Sequence, residues 1–295
     1  MILNASGCLD ALTAPGVARE LDAFVTKTVT PLPRAGNGGV RVAEVGAGML
    51  NSIGLANPGI EAFLAHSLPG LHELGVPIWV SVGGFAASDY ARVCARLDRC
   101  EGIVAIELNL SCPNVEPGAD GASEVVRAAR AATVIPLYAK LTAAVPELAE
   151  VARAVESAGA DGLSLVNTLR GAALDARTLR PVLGSAVGGL SGPALKPVAL
   201  AAVYACFRAT ALPIVGMGGV SSGRDALELV AAGASAVALG TVLFSDPGAP
   251  GRIREELAAE LATRGLSDLG EARGIAHRAV PAGKASLDRR SRLVS

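Results

Sequence analysis

The chain has 295 residues, of which 51% are hydrophobic, and its 26 basic and 27 acidic residues leave a net charge of -1. This length suits one α/β barrel, and the near-neutral charge gives no sign of a nucleic-acid-binding surface. The sequence has neither a signal peptide nor the roughly 18 uninterrupted apolar residues of a membrane span, so we expect a cytoplasmic protein with no membrane attachment.

Short apolar runs rich in β-forming residues alternate along the chain with helical patterns. One such pattern begins at Pro146 and ends at Gly159, as helix boundaries prefer. The predicted strands are residues 24–29, 77–82, 103–108, 136–141, 162–167, 186–191, 213–218 and 236–241. Eight such units favour an α/β fold of the closed (β/α)₈ TIM-barrel type over a doubly wound open sheet.

Two segments fall outside this alternation. Residues 34–69 contain NGG, GAG and NPG turns without a regular period, which predicts a long insertion after the first predicted strand that covers the barrel mouth. Residues 279–295 are polar and basic and are expected to form a disordered tail. We therefore predict a single domain over residues 1–278.

The five cysteines include no C-x-x-C pair, so we expect no metal or iron–sulfur site on this chain. Cys94, Cys100 and Cys206 fall in alanine-rich helical patterns, where a small buried thiol is the ordinary interpretation. Cys112 differs because its surroundings are polar.

Cys112 follows the strand 103–108 in a loop that also carries Asn109 and Asn114. Ligands bind at the carboxyl ends of parallel strands, and asparagine amides offer a donor and an acceptor to a flat ligand. A thiol between them can move a proton. The pattern predicts an active-site loop.

Two glycine-containing pairs end the last predicted strands, Gly218-Gly219 and Gly240-Thr241. Barrels often bind phosphate at this position through backbone amides, although ordinary loop glycines are the alternative. Lys140 ends another strand and should project into the mouth, since burying its charge would be costly. A cation there would stabilise the anionic ring of a reduced flavin, whereas the alternative is a surface lysine. Lys27 ends the first predicted strand.

Several motifs resemble the dihydroorotate dehydrogenase family in collinear order over most of residues 2–278. The loop cysteine resembles class 1 of that family, and SGPALKPVAL is similar to the catalytic subunit of class 1B. The motifs are NASG (4–7), TKTVT (26–30), EVGAGMLNSIGLANPG (44–59), IELNLSCPNV (106–115), LVNTLRG (165–171), GGLSGPALKPVAL (188–200), IVGMGGV (214–220) and GASAVALGT (233–241).

The resemblance implies an FMN flavoprotein that oxidises (S)-dihydroorotate to orotate in pyrimidine biosynthesis. Cys112 would be the general base that removes the C5 proton while C6 passes hydride to FMN. The class 1B resemblance also implies a separate iron–sulfur flavoprotein subunit that carries FAD and a [2Fe-2S] cluster and reduces NAD⁺. The assembly would be a heterotetramer around a homodimer of this chain.

The family's site residues carry over by position. Ser81 stands where the family commonly has asparagine, and LTAAV after Lys140 replaces a usual Pro-Asn pair. The substrate-binding residues would be Lys27, Asn51, Ser52, Ile53, Gly54, Leu55, Asn109, Asn114, Asn167 and Thr168. The FMN-binding residues would be Ser6, Lys27, Thr28, Ser81, Asn109, Lys140, Val166, Gly192, Gly218, Gly219, Gly240 and Thr241.

Three other functions remain open at this point. A fumarate-using class 1A enzyme would share the barrel and the loop cysteine. An FMN-dependent dihydropyrimidine dehydrogenase would share them too but act on uracil or thymine. A non-catalytic barrel that binds a partner or a phosphate ligand is the alternative outside the enzymes.

Overall fold

The structure, a computed structural model, describes residues 1–110 and 118–278. In the described chain the strands, in order, are β1 (Ile2–Asn4), β2 (Phe24–Val25), β3 (Val42–Val45), β4 (Gly48–Asn51), β5 (Ile78–Val82), β6 (Ile103–Asn109), β7 (Leu137–Leu141), β8 (Gly162–Leu165), β9 (Leu169–Gly171), β10 (Gly188–Ser191), β11 (Ile214–Met217) and β12 (Ala236–Leu239).

Helices separate most of the strands. They are α1 (Pro15–Arg19), α2 (Ile60–Ala62), α3 (Leu68–His72), α4 (Ala87–Leu97), α5 (Ala119–Arg130), α6 (Leu148–Ser157), α7 (Lys196–Ala209), α8 (Gly223–Ala232), α9 (Val242–Ser245), α10 (Ala249–Thr263) and α11 (Leu269–Ala272). A π-helical turn, Phe63–Ser67, joins α2 to α3, and 3₁₀ turns lie at Pro193–Leu195 and Ile275–His277. No helix of the described residues is long and apolar enough to cross a membrane.

A barrel of parallel strands is the centre of the fold. Within the described residues, eight strands pair in the order β1-β12-β11-β8-β7-β6-β5-β2. A parallel bridge between Leu3 and Ala23 joins the two ends of this sheet. The Asn4 amide strengthens the same join, because it donates to the Val25 carbonyl at 2.8 Å and accepts from the Val25 amide at 2.8 Å. The predicted (β/α)₈ barrel is confirmed.

Two strand assignments differ from the sequence prediction. The first barrel strand is β1, which has only three residues and therefore too few to show a hydrophobic period. The predicted strand 186–191 contains β10, which pairs antiparallel with β4 and β9 outside the barrel. Consequently the insertion 34–69 follows the second barrel strand, while Gly218 and Gly240 still follow the seventh and eighth.

The second sheet, β3-β4-β10-β9, is antiparallel and is called the cap sheet below. The insertion supplies β3 and β4, and the segment after β8 supplies β9 and β10. Its strands approach closely at Gly48, where an added Cβ would lie 2.0 Å from the Ser191 carbonyl oxygen. A side chain at this position would push the two strands apart.

The barrel separates two apolar cores. Its interior is filled by side chains from every second position of the strands, including Leu3, Val25, Trp79 and Val215. The larger core lies between the outer faces of the strands and the helices. Helix α5 is typical, since Val125, Val126 and Ala129 recur at helical spacing and are buried. Packing on both faces fixes the strand ends that carry the site.

Candidate active site

One cavity of about 550 Å³ lies where the carboxyl ends of the barrel strands meet the cap sheet. Ligand sites of parallel barrels are found at this end of the strands. The structure brings 18 of the predicted site residues together as lining of this cavity: Ser6, Lys27, Thr28, Asn51, Ser52, Ile53, Gly54, Leu55, Asn109, Lys140, Val166, Asn167, Thr168, Gly192, Gly218, Gly219, Gly240 and Thr241.

Three predicted residues are placed otherwise. Cys112 and Asn114 lie outside the described residues, in the segment between β6 and α5. Ser81 is fully buried and does not line the cavity; its hydroxyl lies 3.0 Å from the Thr28 hydroxyl. Thr28 in turn lies 3.4 Å from the hydroxyl of Ser6. Ser81 therefore lies behind Thr28, which lines the cavity.

The cationic part of the cavity is formed by two lysines at strand ends. Lys140 Nζ lies 3.2 Å from Glu107 Oε1, with the lysine side chain 7% and the glutamate side chain 1% exposed. Burial lowers the pKa of Lys27, and the nearby positive charge of Lys140 lowers it further. These cations favour an anionic ligand. Glu107 was missed in the sequence, although an acidic residue in the apolar strand IVAIELN was a usable signal.

Asparagine amides form the polar wall beside the lysines. Asn167 Nδ2 donates to Asn109 Oδ1 at 3.0 Å, and Asn109 Nδ2 donates to Thr28 Oγ1 at 3.3 Å. The Tyr90 hydroxyl donates to the Asn109 carbonyl oxygen at 2.7 Å and so fixes the backbone at the end of β6. Asn51 reaches the cavity from the cap sheet, where its amide donates to the Gly189 carbonyl oxygen at 3.2 Å.

Four glycines also line the cavity and are called the glycine cradle below: Gly192, Gly218, Gly219 and Gly240. The first three have φ angles of +96°, +120° and +77°, which side chains rarely adopt. A Cβ on Gly219 would lie 2.9 Å from the Gly192 carbonyl oxygen, so the two loops pack backbone against backbone. Exposed backbone amides in such concave loops bind anions such as phosphate.

A network of charged side chains holds the loop that carries Gly218 and Gly219. Asp225 Oδ2 accepts from the amide and hydroxyl of Ser221 at 2.9 and 2.7 Å, and Asp225 Oδ1 lies 2.6 Å from Lys196 Nζ. Although burial opposes it, hydrogen bonds from Lys196 and Ser221 lower the pKa of Asp225 to about 2. Neither residue was predicted as part of the site, because their pairing across 29 positions is visible only in the fold.

Replacing Gly219 by alanine is expected to destabilise the protein by about 1–3 kcal/mol, the usual cost of an unfavourable backbone conformation. The added Cβ would also lie 2.8 Å from the Lys196 Cβ. Urea unfolding measures the loss. Gly240→Ala is the matched control, since its Cβ would lie 3.6 Å from its nearest neighbour, Ala5 Cβ. Equal stability of the two variants would contradict the predicted strain.

Two further residue types bear on proton transfer. The three histidines of the chain, His66, His72 and His277, do not line the cavity. Cys8 lines the cavity, although it was not predicted as a site residue. Burial raises the pKa of the Cys8 thiol, while Lys140 and Lys27 oppose that rise. The described lining therefore offers a thiol kept in its neutral form and no imidazole.

Comparisons with known proteins agree with this arrangement. The family model "Dihydroorotate dehydrogenase" matches residues 1–261. The chain is 45% identical over 265 residues to the "Dihydroorotate dehydrogenase B (NAD(+)), catalytic subunit" of Desulforamulus reducens, which covers 88% of this chain and 87% of the relative. A protein of the same name from Listeria monocytogenes is 43% identical over 280 residues, 92% of each chain.

The fold also matches a solved structure. The crystal structure of DHODH from Eimeria tenella in complex with ferulenol has a TM-score of 0.80, and the match covers 94% of this chain and 85% of that one at 23% sequence identity. At this identity the likeness concerns the fold. The family model, in contrast, matches the sequence itself over residues 1–261. The chain belongs to the dihydroorotate dehydrogenase family.

Proposed function

We propose that this chain is the catalytic subunit of a class 1B enzyme that oxidises (S)-dihydroorotate to orotate in pyrimidine biosynthesis. The observation that carries the proposal is the shared cavity, which is lined by Lys27 and Lys140, by Asn109 and Asn167, and by the glycine cradle. Its cations and amides match an anionic pyrimidine, and its cradle matches a phosphate. The names of the relatives at 43–45% identity support the same activity.

We infer that the cofactor of this chain is FMN, bound within a single domain over residues 1–278. The glycine cradle and Thr241 would hold the phosphate, since the cradle has no room for side chains at Gly218 or Gly219. The ring would lie against Lys140, with Ser6, Thr28, Asn109 and Val166 beside it. When bound, FMN accepts the hydride that leaves C6 of the substrate.

The substrate carries a carboxylate and two ring amides. Lys27 would supply positive charge to the carboxylate, and this charge is the feature that favours dihydroorotate over uncharged uracil or thymine. Amide donors and acceptors would come from Asn51, Asn109 and Asn167, with Thr168 beside them. Asn114 would complete this set. Residues 52–55 would close the substrate end of the cavity from the insertion.

The proton at C5 requires a base. We assign this role to Cys112, which the family resemblance places on the loop after β6. Asn109 lines the cavity, so the chain enters this loop from the cavity wall. No histidine is among the described lining residues, and burial raises the pKa of the Cys8 thiol in that lining, so we take the loop thiol as the base.

The electrons must then leave the flavin. Because the full sequence contains no C-x-x-C pair, we propose that they pass to a separate iron–sulfur flavoprotein subunit with FAD and a [2Fe-2S] cluster, and finally to NAD⁺. The words "catalytic subunit" in the names of the relatives support a partner. The proposed assembly is a heterotetramer built on a homodimer of this chain.

One anaerobic experiment tests the function in two stages. The purified chain is expected to contain about one FMN per barrel, and dihydroorotate should bleach its visible absorbance while dihydrouracil should not. Bleaching by dihydrouracil alone would support a dihydropyrimidine dehydrogenase. A chain that binds no flavin even after reconstitution would favour a non-catalytic barrel.

The second stage adds an electron acceptor to the reduced chain. NAD⁺ is expected to restore the colour only after the iron–sulfur flavoprotein subunit has been added. Efficient reoxidation by fumarate would assign the chain to the class 1A type. Efficient reoxidation by NAD⁺ without a partner would contradict the two-subunit arrangement.

A further inference from the structure

Glu107 is a buried carboxylate beneath the wall of the cavity. It lies on β6 two residues before Asn109, and its side chain points into the barrel with that of Ala105. It is 1% exposed and does not line the cavity. A buried charge is costly unless it is paired, and the partner of Glu107 is Lys140 Nζ at 3.2 Å.

One member of this ion pair lines the cavity and the other does not. Lys140 lines it, whereas Glu107 contacts the ammonium group from the barrel interior. Ser164, the neighbour of Lys140 in the pairing of β7 and β8, is also buried, but its hydroxyl makes no hydrogen bond within the described structure. Within the described chain, Glu107 is therefore the group that holds the Lys140 ammonium in place.

The other titratable groups close to this pair include Lys27, Cys8 and Tyr138, which is the register partner of Glu107 on β7. No aspartate or glutamate of the described residues lines the cavity itself. The site therefore combines two cations, a thiol kept protonated by burial, and a single carboxylate in contact with one of the cations. Removing the carboxylate would leave the positive charge of Lys140 uncompensated.

Reduction adds electrons, and hence negative charge, to a flavin ring. A cation beside the ring favours the reduced state, and a carboxylate paired to that cation weakens the effect. We propose that Glu107 is a positioning residue that fixes Lys140 and, by offsetting its charge, lowers the reduction potential of the bound flavin. This inference rests on the proposed binding of FMN.

The test compares the wild-type chain with Glu107→Gln, which keeps the shape of the side chain and removes its charge. The midpoint potential of the bound flavin is measured by anaerobic dye equilibration from pH 6 to 8. We expect the ratio of reduced to oxidised flavin at a fixed potential to rise at least tenfold, which for a two-electron couple equals about 30 mV. Glu107→Met serves as a second neutral variant if the glutamine protein does not fold.

Two control variants isolate the charge at this position. Glu107→Asp keeps a carboxylate inside the barrel, so its ratio is expected to stay within about twofold of wild type, well under the tenfold that corresponds to 30 mV. Glu61→Gln removes the same charge from a surface ion pair with Arg96, where the Glu61 side chain is 67% exposed, and should leave the ratio unchanged.

Three results would overturn the inference: a neutral variant with the wild-type potential at every pH, an aspartate variant shifted as far as the neutral ones, or a neutral variant that folds but holds no FMN. The last would make Glu107 a residue required for binding instead. Failure of the proposed function itself is distinguishable, because the wild-type chain would then hold no reducible FMN.

Discussion

Replacing Cys112 by serine is expected to slow reduction of the flavin by dihydroorotate about 10²- to 10⁴-fold at neutral pH, the usual contribution of a positioned general base. A hydroxyl is a far weaker acid than a thiol, so at neutral pH far less of it is ionised to the anion that accepts the C5 proton. Binding of FMN and orotate should be retained, since the side chains are nearly the same size. Stopped-flow absorbance under anaerobic conditions measures the rate.

Two other cysteines provide the controls. Cys100→Ser changes a residue that lies three positions after the end of α4 and does not line the cavity. The Cys100 thiol donates to the Arg96 carbonyl oxygen at 3.3 Å. In the Cys100→Ser variant, dihydroorotate should reduce the flavin at the wild-type rate. Cys8→Ser tests the thiol that does line the cavity. If the Cys8 variant is slow and the Cys112 variant is not, the base has been assigned to the wrong thiol.

Replacing Lys140 by alanine is expected to weaken FMN binding about 30- to 4,000-fold, which corresponds to the 2–5 kcal/mol lost when one member of a buried charge pair is removed. Two effects combine. The flavin loses a cation at the cavity wall, and Glu107, only 1% exposed, loses the partner that compensates its buried carboxyl group. FMN titration of the apoprotein, followed by flavin fluorescence, measures the affinity.

Arg96→Ala is the control for loss of a positive charge. Its guanidinium pairs with Glu61 on the surface, where the Arg96 side chain is 38% exposed, so FMN affinity should not change. The double variant Lys140→Ala/Glu107→Gln removes both buried charges and should bind FMN better than Lys140→Ala alone. Unchanged FMN affinity in Lys140→Ala would show that the lysine does not contact the flavin.

Much of the candidate site follows from local sequence. Glycine-containing pairs after the last strands, lysines at strand ends and asparagines after apolar runs are local signals, because a parallel barrel brings all strand ends to one face. Knowing the fold class was enough to predict that Lys27, Lys140 and Asn109 would share a cavity. The resemblance to a family added the remaining positions, including Asn51 and Gly192.

The strand assignments show that local sequence does not predict which sheet a strand joins. The three residues of β1 become a barrel strand because they pair with β12 and because the Asn4 side chain bonds to Val25. The run 186–191 was predicted as a barrel strand but places β10 in the cap sheet, where Gly189 and Leu190 pair with β4. A hydrophobic pattern predicts that a segment forms a strand. Which other strand it pairs with depends on contacts between residues far apart in the sequence.

The barrel class, the strand ends that carry polar groups and the family motifs could be predicted from residue type and spacing within short segments. The pairing of Glu107 with Lys140, the support of the glycine cradle by Asp225 and Lys196, and the position of Ser81 behind Thr28 are visible only in the folded chain. These contacts join side chains from different strands and loops. Their geometry is fixed by the register of the closed sheet, which no local pattern specifies.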